Sequence, residues 1–225
     1  MERKKGLLLQ AVTKYLAGLV LVGLLVFLPA GTLHYSGGWL FCGLLFVPML
    51  LLGIVLYLKA LGLLEKRLES KEKETEQKQV VSLSLLMFVG GFILAGLDFR
   101  FGWLPMPMGV QVGAGVVLLV AYALYAEVMR ENAYLSRTVQ VQEGQQVVDT
   151  GLYGIVRHPM YSATVLLFLA IPLVLGSWIA FVVFLLYPAL LVKRIRNEEA
   201  MLSAELAGYQ AYMKKVKWRM FPLIW

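Results

Sequence analysis

Residues 159–192 read PMYSATVLLFLAIPLVLGSWIAFVVFLLYPALLV, and no charged residue occurs anywhere in them. The pair Gly176-Ser177 divides the segment into two apolar runs, 159–175 and 178–192. A helix needs about 20 apolar residues to cross the hydrocarbon core untilted, so each run predicts a short span. Two short spans joined by a tight turn predict a helical hairpin. Pro159 suits the first turn of its helix, where the missing N–H has no intrahelical partner to lose.

Outward from this hairpin, apolar runs recur along the whole chain, at about 7–29, 37–64, 80–97 and 109–129. Apolar residues make up 60% of the 225 and charged residues 16%. A soluble domain carries about 25% charged residues, so a bilayer is the expected solvent. The basic start Arg3-Lys4-Lys5 before the first run also fits a signal peptide. Against that, the run is long, Lys14 sits within it, and no small-x-small cleavage site follows. The mixed-charge stretch 65–79 (EKRLESKEKETEQKQ) reads as a solvated helical extension and loop. Gly109 and Gly113 share a helix face, where another helix could approach closely. The expected fold is all-α: a polytopic membrane bundle of about six helices, ending in the hairpin and a cytosolic amphipathic helix near 196–215. Residues 1–129 would supply four transmembrane helices, and 130–225 the region that carries the chemistry.

Charge gives the topology. With the N-terminus inside, the inner segments are 1–6, 65–79, 130–158 and 193–225. Twenty of the 21 lysines and arginines fall in them or in adjoining helix ends, leaving Arg100 outside. Such a positive-inside pattern places both termini in the cytosol, in a cytoplasmic or inner membrane. Tyr35, Trp39, Trp103 and Trp178 would form the outer aromatic belt. The net charge of +7 is then explained by lipid headgroups and topology. No basic patch interleaved with stacking aromatics points to nucleic acid. One cysteine and two histidines give neither a disulfide within the chain nor a recognisable metal set, so no metal is expected.

Folding the hairpin brings two polar clusters to one membrane face. The first is Gly151-Leu-Tyr-Gly-Ile-Val-Arg-His-Pro-Met-Tyr161, and the second is Lys193-Arg-Ile-Arg-Asn-Glu-Glu199. A glycine turn with an aromatic, a cation and an imidazole would face an acidic pair with arginines. Those parts suit a zwitterionic ligand with a flat ring. S-adenosylmethionine has an ammonium that needs a carboxylate, a carboxylate that needs N–H donors, and an adenine that needs an apolar slot.

The two clusters also carry a resemblance. Thr150–Tyr161, with Gly-x-Tyr and then Arg-His-Pro-x-Tyr, resembles the isoprenylcysteine carboxyl methyltransferase family. Arg194-x-x-x-Glu198-Glu199-x-x-Leu202, Gly208-Tyr209-x-x-Tyr212 and Pro222 follow in the family's order. The resemblance covers roughly 125–225 and implies an S-adenosylmethionine-dependent methyltransferase. By position, it implies cofactor contacts from Gln140, Gln145, Gln146, Val147, Val148, Tyr153, His158, Pro159, Met160, Tyr161 and Glu198. Arg194, as the catalytic residue, and Glu199 would face a lipophilic, carboxylate-bearing acceptor arriving from the membrane lipids. The tail departs from the family pattern, with WRMF before Pro222. Two other readings stand beside this one. One is an NADPH-dependent enzyme like the sterol reductases, which share an Arg-His-x-x-Tyr motif but follow it with Gly and an acid where this chain has Ser-Ala-Thr. The other is a non-catalytic membrane scaffold.

Overall fold

A computed structural model of the chain describes residues 2–68, 75–135 and 141–225. Among them the regular structure is helical, with no strand. The N-terminal part comprises α1 (Glu2–Ala30), α2 (Ser36–Lys59), α3 (Leu61–Leu68), α4 (Thr75–Phe101) and α5 (Met108–Glu131). A single 3-10 turn, Gly151–Gly154, precedes α6 (Pro159–Leu175), α7 (Trp178–Phe184), α8 (Leu186–Glu205) and α9 (Tyr209–Lys215). Among the described residues, five helical stretches are long and apolar enough to cross a membrane, and α6 is a shorter apolar helix. Leucines and valines on the outer faces of these helices, such as Leu16, Leu58, Leu86 and Val182, are exposed, as a lipid-facing surface requires. The chain is an integral membrane helical bundle.

α6 lies at the centre, packed most extensively along α5 and also against α2, α4 and α7. Phe41, Leu118, Ile171, Val174, Phe184 and Ile195 form the fully buried middle. Close helix approach occurs at glycines, though not at the expected pair. Gly109 and Gly113 have nothing within 4 Å of where a Cβ would sit. Close approaches are instead on α4, at Gly96, where a Cβ would lie 2.7 Å from the Val26 carbonyl of α1, and at Gly91, where it would lie 2.3 Å from the ring of Phe184. The Gly-x-x-x-Gly spacing placed two small residues on one face, but that face meets no neighbouring helix.

The hairpin turn forms as expected. Gly176 takes a left-handed φ of 81°, and the N–H groups of Gly176 and Ser177 donate to Leu173 and Pro172 carbonyls at 3.0 Å, closing the end of α6. Ser177 Oγ accepts from the N–H of Ala180 at 3.1 Å and so caps α7. The second arm is interrupted at Leu185 because Pro188 has no N–H for the carbonyl of Phe184. It then runs on as α8 to Glu205, well beyond the expected end of the apolar run at 192. The helix expected at 196–215 is therefore the end of α8 plus α9, separated where Gly208 adopts a φ of 84°.

Two further expectations are corrected. The apolar run expected at 37–64 is broken at Ala60, and of the extension and loop expected at 65–79, residues 65–68 are helical and not buried, 69–74 lie outside the described residues and 75–79 already belong to α4. Leu63 and Leu64, the end of that run, lie in α3 and are buried against Leu7 and Leu56. Tyr35 is not an interfacial ring: it is buried, stacked on Phe99 with centroids 4.1 Å apart, and donates to the carbonyl of Leu175 at 2.5 Å. Trp39, Trp103 and Trp178 are exposed.

Candidate active site

At the end of the bundle opposite the Gly176 turn, α6 begins and α8 passes beside it. On α8, positions 194 and 198 fall on one face, and 195, 199 and 202 on the next, as a 3.6-residue period dictates. The consequence is a division between adjacent glutamates. Ile195, Glu199 and Leu202 are buried, whereas Arg194 and Glu198 line a cleft. Tyr161, from the first turn of α6, joins them. Its Oη donates to Glu198 Oε2 at 2.6 Å and accepts from Arg194 Nε at 2.9 Å. The two distant polar clusters thus meet directly.

Glu199 points into the protein instead. Oε1 accepts from Arg157 Nε at 2.7 Å and lies 3.2 Å from His158 Nε2, while Oε2 accepts from Arg219 Nε at 2.7 Å. A hydrogen bond from the imidazole to this acceptor puts a proton on Nε2. Arg157 also donates through Nη1 to the carbonyls of Val216 and Lys217 at 2.7 and 2.9 Å. The backbone N–H groups of Arg157 and His158 donate to Trp218 and Arg219 at 2.9 and 2.8 Å. Ser162 Oγ donates to the carbonyl of Met220 at 2.6 Å. The tail is thereby clamped onto the start of α6, and the Arg219 guanidinium lies 5.0 Å above the ring of Trp225. The tail acts as a brace behind the cleft.

The opposite wall is the segment after α5. Gly151 has a φ of 54°, and a Cβ there would sit 1.7 Å from Glu131 Oε1, so the chain passes close over this carboxylate. Glu131 accepts from the N–H of Leu152 at 2.9 and 3.1 Å. Asn132 Nδ2 donates to Tyr153 Oη at 3.0 Å, and Tyr212 Oη donates to the carbonyl of Tyr153 at 2.7 Å. Gln145 Oε1 accepts from the N–H of Gln142 at 2.9 Å, which closes a small turn at Gly144. Met201, Leu202 and Leu206 give the cleft an apolar side. Tyr209 Oη, in the same wall, is buried and has no hydrogen-bond partner among the described residues. Burial pushes the hydroxyls of Tyr153, Tyr209 and Tyr212 well above the usual phenol value. They are neutral hydrogen-bonding groups, not bases, at neutral pH.

Gln145, Gln146, Val147, Val148, Tyr153, His158, Met160, Tyr161, Arg194 and Glu198 all line this one cleft. Gln140 lies outside the described residues. Pro159, the first residue of α6, and Glu199 are buried and do not line it. Sequence reasoning assigned no role to Asn132 or Arg219, counted Arg157 as the cation of the first polar cluster and not as a partner of Glu199, and placed Tyr209 and Tyr212 among packing or interface residues. The spacing of Tyr209 and Tyr212 does place both on one face of α9, which was the available signal. Nothing in the sequence marks Arg219 as a partner of Glu199. Among the described residues no group of three or more His, Cys, Asp or Glu side chains could hold a metal ion.

The model of the isoprenylcysteine carboxyl methyltransferase (ICMT) family matches residues 113–204, from α5 through α8. The chain is also 31% identical over 130 residues to the uncharacterized protein YpbQ of Bacillus subtilis, covering 56% of this chain and 73% of that protein. Over residues 113–204 the chain is similar to the isoprenylcysteine carboxyl methyltransferase family. That match lies within the membrane bundle and contains both Tyr161 and Glu198. A further similarity, 32% over 137 residues, is to the Delta(14)-sterol reductase TM7SF2 of Mus musculus. That match covers 54% of this chain but only 33% of the reductase. Members of the isoprenylcysteine carboxyl methyltransferase family and this reductase thus share similarity with the same chain. α1–α4, α9 and the tail lie outside the family match.

Proposed function

We propose that this chain transfers a methyl group from S-adenosylmethionine to a lipophilic acceptor, most simply a carboxylate, that reaches the cleft from the bilayer. The reading is supported above all by Tyr161 Oη lying between Glu198 and Arg194 at the head of the cleft. The donor set suits the methyl donor. Glu198 offers an acceptor for an ammonium, and Asn132 and the backbone of 145–148 offer polar groups for a carboxylate and ring nitrogens. Val147, Met201, Leu202 and Leu206 offer an apolar slot beside the unpartnered Tyr209 hydroxyl.

The cleft holds about 100 Å³. Pockets that bury drug-sized ligands run to roughly 300–1,000 Å³. Binding must therefore open the cleft. The wall without helix is 141–149, whereas the α6–α8 wall is held by the Glu199 network. Bound there, the sulfonium supplies the methyl group, and a carboxylate oxygen forms the new C–O bond as the C–S bond breaks. A carboxylate is already anionic at neutral pH, so no residue has to remove a proton. The protein's part is orientation and exclusion of water, with Arg194 set beside the reacting groups by its bond to Tyr161. The cleft end faces the cytosol in this reading, with both termini on that side, as the charge distribution requires.

The similarity to a sterol reductase gives a second reading, an NADPH-dependent reductase. One experiment separates the two. Membranes containing the protein are incubated with S-adenosylmethionine labelled in the methyl group, and the lipophilic extract is analysed by mass spectrometry. Protein-dependent label in the extract is expected. No label, with protein-dependent oxidation of NADPH instead, contradicts the proposal.

A further inference from the structure

Toward the hairpin-turn end of the bundle, α1 and α2 leave a second concave surface between them, outside the family match. The groove holds about 870 Å³ and is walled by Leu19, Gly23, Leu24, Phe27, Gly43 and Val47. Its width comes from two missing side chains: a Cβ on Gly23 or on Gly43 would meet nothing within 4 Å. Its deep end is shut by Tyr15, whose Oη donates to the carbonyl of Phe46 at 3.2 Å and whose ring meets Phe46 edge-on. From Tyr15 to Gly31 the groove follows α1 for about 24 Å, at roughly 1.5 Å per residue. That exceeds the half-thickness of the hydrocarbon core, about 15 Å.

An apolar wall alone selects no lipid, because acyl chains are as apolar as leucine. The selective groups lie at the open end, where Gly31, Thr32 and Trp39 line the groove. A Cβ on Gly31 would be 3.4 Å from Cζ, Nε and Nη1 of Arg100, in the last turn of α4, so the guanidinium lies against the mouth of the groove. Trp39 and Trp103 are both exposed, and such rings settle at the level of lipid headgroups. Arg100 is the one lysine or arginine in the segments 30–38, 98–108 and 176–177 that make up this end. The nearby acid in sequence, Asp98, does not neutralise it: its two carboxylate oxygens accept from Leu104 N–H and Ser177 Oγ. Among the described residues Arg100 makes no hydrogen bond, and its guanidinium lies 5.6 Å from the ring of Phe101. Thr32 Oγ1 accepts from the N–H of His34 at 3.0 Å, which leaves its hydroxyl proton to donate. A planar fork of guanidinium donors and a hydroxyl match a phosphate. Among the described residues no aspartate or glutamate lines the groove, so nothing there answers the ammonium of a choline or ethanolamine headgroup.

We propose that this groove binds an anionic phospholipid of the leaflet at the hairpin-turn end. One acyl chain lies between α1 and α2, and the phosphate is held by Arg100 and Thr32. The occupant is distinct from any methyl acceptor and sits at the end of the bundle away from the cleft, so the inference does not rest on the methyl-transfer reading.

The test is native mass spectrometry of the intact protein, released from detergent after incubation with equimolar phosphatidylglycerol and phosphatidylcholine of matched chains. The wild type should retain phosphatidylglycerol with a preference of about tenfold or more, the size expected of a charged hydrogen bond. Arg100→Gln should abolish that preference. Gly43→Phe and, on the facing helix, Gly23→Phe fill the groove and should lower retention of either lipid. Added phosphatidylglycerol should raise the melting temperature of the wild type, as a ligand of the folded state does, and leave that of Arg100→Gln unchanged. In lipid-free detergent those two proteins should melt together. Equal retention of the two lipids by the wild type overturns the proposal. So does an undiminished preference in Arg100→Gln, or wild-type retention by both glycine variants.

Discussion

The two ends of the bundle both bury a carboxylate, and at one of them the acid next to it in sequence faces a cleft. At the hairpin-turn end, Asp98 accepts from Ser177 Oγ at 2.6 Å and from the N–H of Leu104 at 3.1 Å. Ser177 caps α7, and Tyr35 ties α2 to the last carbonyl of α6. Asp98, Ser177 and Tyr35 are all buried. At the other end, Glu199 is as fully engaged as Asp98, yet one position earlier Glu198 faces a cleft. A buried, paired acid marks a lock. An acid paired on one side and facing a cavity on the other marks a place for a ligand. The distinction comes from a rotation of about 100° per residue along α8.

The sharpest way to break this comparison is to remove the acid that the account treats as purely structural. Glu199→Ala leaves Arg157 buried without its partner, which typically costs about 3–5 kcal/mol. The expected outcome is a large fall in thermal stability in detergent, or loss of monodisperse protein. A stable Glu199→Ala variant that merely loses acceptor turnover would make Glu199 a substrate residue. Next in size, Glu198→Ala should leave the melting temperature within a few degrees. It should weaken S-adenosylhomocysteine binding by roughly one to two orders of magnitude, as a charged hydrogen bond worth about 1.5–3 kcal/mol implies. At the turn end, Asp98→Ala should destabilise by about 1–3 kcal/mol, the cost of unpaired buried groups, and leave affinity unchanged. A change in affinity there would show that the two ends are coupled. Smallest of all, Tyr209→Phe should lose about 0.5–1.5 kcal/mol of ligand affinity with no loss of stability, because its hydroxyl has no partner among the described residues to lose.

Alkaline pH probes the same end. The phenols of Tyr153, Tyr209 and Tyr212 are held above their unfolded value by burial. Their contribution to stability is complete below the ordinary phenol pKa of about 10 and is lost as pH rises beyond it. Melting temperatures should therefore fall above about pH 10, and less steeply when Tyr153 is replaced by Phe.

Much of this was legible in the sequence because it rests on local or periodic signals. The hairpin follows from an uninterrupted apolar segment, a glycine able to take a positive φ, and a proline at a helix start. The meeting of Tyr161 with Glu198 follows from the hairpin itself. What was not legible depends on which face of an element meets which neighbour. Tyr35 has the composition of an interfacial anchor, but packing on Phe99 and a carbonyl acceptor across the bundle draw it inside. Gly109 and Gly113 have the right spacing on a face that no helix approaches. The apolar run 37–64 looks continuous by composition, yet the helix breaks at Ala60 and α3 folds back to bury Leu63 and Leu64 against α1. Arg219 finds Glu199 only because the tail returns beside Arg157 and His158. Neither that return nor the division of labour between Glu198 and Glu199 has a signature in residue type.

The most direct test of the central claim is calorimetric titration of the detergent-solubilised wild type with S-adenosylhomocysteine and, separately, with NADPH. The account predicts saturable S-adenosylhomocysteine binding that Glu198→Ala abolishes or strongly weakens, and no heat from NADPH. Saturable NADPH binding with no response to S-adenosylhomocysteine would contradict it.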